Sequence, residues 1–160
     1  LLSLHDALPI MTLGEKIITD GREFVVDILN TGVPHTVTFV DDLASFEVVH
    51  WGRKIRFHEK FQPKGSNVNF SLVLGRHKLK VRTYERGVEN ETLACGTGDV
   101  AAVLAAAQRN LVDSPVDVVV QSGETLRVYF RREDNRFAEI YLEGRVKIVY
   151  QGFLFDEAYK

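Results

Sequence analysis

Cysteine is the scarcest resource of consequence here: one residue in 160. A single thiol excludes an internal disulfide, and no cysteine and histidine cluster has zinc-site spacing, so no metal centre is expected and a reducing cytoplasm fits best. Long apolar runs are lacking too. None reaches the length a bilayer demands, so no membrane span is expected. There is also no excess of charge of one sign: 20 Lys+Arg stand against 22 Asp+Glu, a net charge of -2. That balance offers no electrostatic footprint for nucleic acid. The one local basic run, Arg76, His77, Lys78 and Lys80, reads as a solvated turn and strand face. Internal repeats and low-complexity linkers are missing. What remains, at 45% hydrophobic and 26% charged residues, is enough for one useful core and not for two complete domains.

Short β-like runs dominate the chain, at residues 23–29, 36–40, 68–74, 79–84, 116–120, 125–130, 137–142 and 145–153. Most have strand length, and turn signals separate them. Gly75-Arg76, Ser122-Gly123 and Asp134-Asn135 are the hairpin candidates. Two helices interrupt the strands. The first is expected over 42–57, with Leu43, Phe46, Val49 and Ile55 near helical spacing, Asp41 or Asp42 as cap, and Gly52 as a weak point. The second is expected over 99–111, apolar nearly all round from Val100 to Ala107, and stopped by Ser114 and Pro115. A helix apolar on every side must be buried on most of them. Its small alanines let strands come close, so the expected fold is α+β, a curved and mostly antiparallel sheet wrapped around a central apolar helix.

The chemistry concentrates in residues 85–98, ERGVENETLACGTG. Cys95 sits at the mouth of the second helix, whose first N-H groups have no partners within the helix and favour a neighbouring anion. A free thiol has a pKa of about 8.5, and a helix N-terminus can lower it enough to make a base or nucleophile near neutral pH. Gly96 and Gly98 let the backbone approach a ligand, and Thr97 adds a hydroxyl and another N-H. The competing reading of a lone cysteine is a small buried apolar residue. Glu85 and Arg86 juxtapose a carboxylate and a guanidinium, which suits a zwitterionic amino acid; the alternative is a surface ion pair.

ERGVENETLACGTG, with GSNVNF and TGVPH upstream, resembles the C-terminal half of the diaminopimelate epimerases, from about residue 25 to 155. That family interconverts LL- and meso-diaminopimelate without pyridoxal phosphate, metal or other cofactor, in lysine and peptidoglycan precursor biosynthesis. It uses two cysteines on opposite faces of the α-carbon. The resemblance makes Cys95 the second of them; the first, in a CGNG-type motif, has no counterpart here. It further implies catalytic assistance from His35 and substrate binding by Asn67, Glu85, Arg86, Gly96 and Thr97. Asn67 and Arg86 would serve the distal end of diaminopimelate, and the Gly96 and Thr97 N-H groups the reacting centre's carboxylate. Asn69 fits less well. Many members have asparagine where this chain has Val33, which cannot donate a hydrogen bond, and the loop over 87–91 is one residue longer than in many.

The implied architecture is one half of a two-domain epimerase fold, with small-molecule substrate and room for a homodimer. Residues 1–10, LLSLHDALPI, match nothing in the family and precede Met11. They read as a non-native leader ahead of an epimerase-type fragment over 11–160. Two other functions stay open: a related cofactor-independent amino-acid racemase of the proline racemase kind, and a non-catalytic half-domain that binds an amino acid.

Overall fold

A computed structural model describes residues 2–3, 11–133 and 136–159. Its strands are β1 (Leu2–Ser3), β2 (Met11–Thr19), β3 (Arg22–Asn30), β4 (Pro34–Phe39), β5 (Asn67–Gly75), β6 (Lys78–Glu85), β7 (Asn90–Thr92), β8 (Val116–Val119), β9 (Thr125–Glu133) and β10 (Arg136–Glu143). The helices are α1 (Val48–Arg56) and α2 (Gly96–Gln108). All the strands join one curved open sheet in the order β1-β10-β9-β8-β6-β5-β4-β3-β2, with β7 pairing on β6 off that path. Pairing is antiparallel except for β4 with β5 and β6 with β8. Parallel neighbours need a crossover connection, and α1 and α2 lie in those two connections.

The period-2 alternation of the central strands sends residues to two cores. Val68 and Phe70 of β5, Phe24 and Val26 of β3 and Tyr84 of β6 join Val48 and Ile55 of α1. Val37 of β4 and Leu79 and Val81 of β6 join α2 in the other cluster. Every residue of α2 from Gly98 to Ala107 is buried, and the helix contacts β3, β4, β5, β6, β9 and β10. Asp27 of β3, wholly buried, receives Arg109 Nε at 2.7 Å and Nη2 at 2.6 Å, which ties the last turn of α2 to the sheet.

Several boundaries differ from the sequence expectation. Strand β2 was not anticipated; its Gly14 has a positive φ at a register shift, and its turn to β3 uses Asp20-Gly21, both at positive φ, as a tight hairpin needs. Helix α1 begins at Val48 and not near residue 42, because the Asp42 carboxylate accepts from the N-H groups of Ala44 and Ser45 in a local turn. Gly52 does not interrupt α1. A Cβ there would lie 2.3 Å from Tyr84 Cβ, so the glycine permits close packing of helix on sheet. Helix α2 starts three residues earlier than expected, taking in Gly96, Thr97 and Gly98, and ends at Gln108. Asn110 at φ 58, with Leu111 N-H bonded to Ala106 C=O, closes it before Ser114 and Pro115 are reached.

The strand expected over 145–153 does not form. Val146, Ile148, Val149 and Tyr150 are exposed, and a β-favouring run becomes a strand only where a neighbour supplies its ladder. The Asp134-Asn135 turn and most of residues 1–10 lie outside the described residues, although Leu2–Ser3 pairs with β10. No described helix is long and apolar enough to cross a membrane. The basic run at the β5–β6 turn is held in place: Arg76 pairs with Asp113 and donates to Asn110 C=O, and His77 Nδ1 lies 2.8 Å from Asp113 C=O.

Candidate active site

Strands β4 and β5 run parallel with His35 opposite Asn67, and β6 runs against β5 with Asn69 opposite Thr83. The starts of β4 and β5, the end of β6 and the N-terminus of α2 therefore meet. Cys95 is the N-cap residue of α2, and its C=O accepts from Asp99 N-H at 2.8 Å. Thr97, in the first turn, has its own C=O held by the Thr31 hydroxyl at 2.9 Å.

Among the sequence-expected residues, Cys95, Thr97 and His35 come into one network. Thr97 Oγ1 is 3.8 Å from Cys95 Sγ and 3.0 Å from His35 Nε2. Glu85 at the end of β6 is near enough for its charge to bear on the thiol, and Arg86 for its charge to bear on His35. Asn67 spends its side-chain oxygen on Arg86 N-H at 2.8 Å, so what it can offer a ligand is its amide nitrogen. The Arg86 guanidinium donates to Lys64 C=O at 3.2 Å. Gly96 is half-buried, against Leu142.

Electrostatically the thiol departs from the expectation of a lowered pKa. Burial pushes the Cys95 thiol up, and Gly98 N-H and the Thr97 hydroxyl pull it only partly back, while Glu85 and Asp99 add to the rise. Desolvation outweighs the helix end here, so the resting group is the neutral thiol. His35 is wholly buried, and burial followed by the Arg86 charge lowers its pKa to about 4. It is a neutral imidazole near pH 7. Asp99, 1% exposed, is driven up to about 8 by burial alone.

Two residues that the sequence reading left without a role complete the cluster. Asn69 Nδ2 lies 3.1 Å from His35 Nδ1 and donates to Thr36 C=O at 3.3 Å, while Asn69 Oδ1 accepts from the Thr83 hydroxyl at 3.0 Å. Polar residues at inward positions of β5 and β6 were the available signal. Gly98 belongs to the same packing: a Cβ there would fall 2.3 Å from Asn69 Oδ1 and 3.3 Å from Cys95 Sγ.

Residues 28–149 match the family described as Diaminopimelate epimerase. The chain is 48% identical over 145 residues to the diaminopimelate epimerase of Aquifex aeolicus, covering 89% of this chain and 51% of that protein. It is 45% identical over 141 residues to the diaminopimelate epimerase of Archaeoglobus fulgidus, covering 88% and 47%. The chain thus spans about half the length of the curated relatives it matches. Among solved structures, a phenazine biosynthesis protein of the PhzF family from Bacillus anthracis aligns with a TM-score of 0.49 at 20% identity, over 70% of this chain and 36% of that one.

Proposed function

This chain belongs to the diaminopimelate epimerase family, and from that premise we propose that its full-length parent is an isomerase converting LL- to meso-diaminopimelate without pyridoxal phosphate, for lysine and peptidoglycan precursor biosynthesis in the cytoplasm. In this reading the chain is the C-terminal half of a two-domain fold, its sheet wrapped around α2, and the companion half supplies a second thiol.

The observation that carries the proposal is Cys95 at the N-cap of α2, with Gly98 N-H directed at its sulfur and the Thr97 hydroxyl oxygen 3.8 Å from it. Epimerisation breaks the α-C-H bond on one face and makes a new one on the other. A thiolate on one side takes the proton, and a thiol on the other gives its own proton to the α-carbon. Cys95, held neutral by burial, enters as the thiol donor and leaves as the thiolate, and the roles reverse for the opposite direction. Negative charge spreads from the α-carbon onto the adjacent carboxylate, where the Gly96 and Thr97 N-H groups at the helix start stabilise it. Asn67, Glu85 and Arg86 bind the substrate's charged groups. His35, neutral and with both ring nitrogens engaged, assists by holding Thr97 rather than by moving a proton.

One thiol cannot serve both faces, so this chain alone binds without appreciable turnover. In the full-length parent, Cys95→Ala abolishes epimerisation and leaves the circular dichroism spectrum intact. Cys95→Ser is nearly as damaging, since a hydroxyl is far less acidic than a thiol. Undiminished epimerisation by the alanine variant overturns the assignment.

A further inference from the structure

Orientation in the buried polar cluster is fixed by one atom that can act in only one way. Thr36 C=O can only accept a hydrogen bond, so the Asn69 side-chain atom 3.3 Å from it is the amide nitrogen. That same nitrogen lies 3.1 Å from His35 Nδ1. The other end of the amide, Oδ1, accepts from the Thr83 hydroxyl at 3.0 Å, which agrees with this orientation. Nδ1 of His35 is therefore the acceptor. In a neutral ring the proton is then on Nε2, 3.0 Å from Thr97 Oγ1. With Nε2-H donating to it, the Thr97 oxygen has its own hydrogen free to turn to Cys95 Sγ at 3.8 Å.

We propose that Asn69 is a positioning residue for Cys95: it locks the tautomer of His35, so that a one-way chain of donors, Thr83 to Asn69 to His35 to Thr97, ends on the sulfur. The inference rests on the reading of Cys95 as an acid-base group and adds how its thiolate form is stabilised. Each link is buried or partly buried, where a hydrogen bond to a charged acceptor is strongest. Reversing any link reverses the last one: a proton on Nδ1 would make Nε2 an acceptor and draw the Thr97 hydroxyl away from sulfur. Besides the chain, the titratable groups that bear on the site are Glu85 of β6 and Asp99 of α2 at the thiol, and Arg86 at the ring. None of them is altered in the variants below.

The test uses this chain as it stands, since its single cysteine makes alkylation by iodoacetamide a direct report on Cys95. The pH dependence of the alkylation rate gives the thiol pKa, and 15N NMR of the imidazole gives the tautomer. In the unaltered chain, Nε2 is expected to be protonated and Nδ1 bare from pH 6 to 8. Asn69→Val, neutral and unable to donate, should release the tautomer and raise the thiol pKa by about one unit, roughly a tenfold slower alkylation at pH 7. Thr97→Val, which removes the last link directly, should give the same shift.

The double variant Asn69→Val/Thr97→Val should show no further shift, because both changes act through one bond. A merely structural role for Asn69 would leave the shifts additive, and additive shifts overturn the proposal. So does a protonated Nδ1 in the unaltered chain, whichever variants fold. Neither measurement needs turnover, so loss of the epimerase reading and loss of this one are told apart: the first appears as undiminished epimerisation by Cys95→Ala of the parent, the second as the wrong tautomer or additive shifts here.

Discussion

Removing the Asp99 carboxyl should stabilise this protein above neutral pH and reshape its whole stability profile. Asp99 is 1% exposed, and neither carboxyl oxygen has a hydrogen-bond partner among the described residues. Burial raises its pKa from 3.8 to about 8. The folded state thus keeps a proton that the unfolded chain has released, and stability present below pH 3.8 is lost progressively as pH rises to about 8, at about 1.4 kcal/mol per unit. By pH 7 that amounts to roughly 4 kcal/mol. His35 acts in the opposite sense. Its pKa falls from 6.5 to about 4, so stability present above pH 6.5 is lost as pH falls, about 3 kcal/mol by pH 4. Between pH 4 and 6.5 the two slopes cancel, and from 6.5 to 8 Asp99 alone lowers stability by about 2 kcal/mol. Asp99→Ala places the best helix former in an alanine-rich helix and leaves only the His35 slope. Its stability should rise from pH 4 to 6.5 and then stay level. Urea denaturation at pH 4.5, 6.5 and 8 measures both profiles. Parallel curves for the two proteins, or a variant less stable at pH 8, would mean that the carboxylate is charged and partnered, and the reasoning would fail.

Arg109→Ala leaves the Asp27 carboxylate, 1% exposed, with Gly14 N-H as a remaining donor; the expected loss is about 3 to 5 kcal/mol by urea denaturation, and a loss below about 1 kcal/mol would show that water replaces the guanidinium. Gly52→Ala should gain up to about 1 kcal/mol in helix propensity, yet its Cβ would meet Tyr84 Cβ at 2.3 Å. Overpacking of about 1 to 3 kcal/mol should prevail, and a higher melting temperature for the variant would contradict it.

How far the sequence reached depended on whether a feature was local. The burial of α2 was legible because no face of VAAVLAAA could be left in water. Its start was misplaced because Gly96-Thr97-Gly98 has the composition of a turn. These residues form the helix's first turn instead, and the small residue at 98 answers to Asn69, whose contact is set by strand register. Strand β2 was obscured by Gly14, although Asp20-Gly21 was an available hairpin signal. For residues 145–153 the β-like pattern was read correctly as composition and wrongly as structure, since strand formation depends on a partner that no local pattern names.

The candidate site divides along the same line. Cys95, Thr97, Glu85 and Arg86 lie within thirteen positions of one another, and one motif carried them. Asn69 and Thr83 could not be read that way. Their relation to His35 exists only because β4 and β5 pair in parallel with His35 opposite Asn67, and β5 and β6 pair antiparallel with Asn69 opposite Thr83. A slip of one residue in either ladder would turn one of these side chains to the α1 face and break the path to sulfur. The thiol's ionisation is non-local for the same reason. The helix end that favours the thiolate was visible in CGTG, but the burial that outweighs it comes from the surrounding fold. A hydrogen bond from Thr97 therefore matters more at this cysteine than it would at an exposed helix end, because water contributes less to holding the charge.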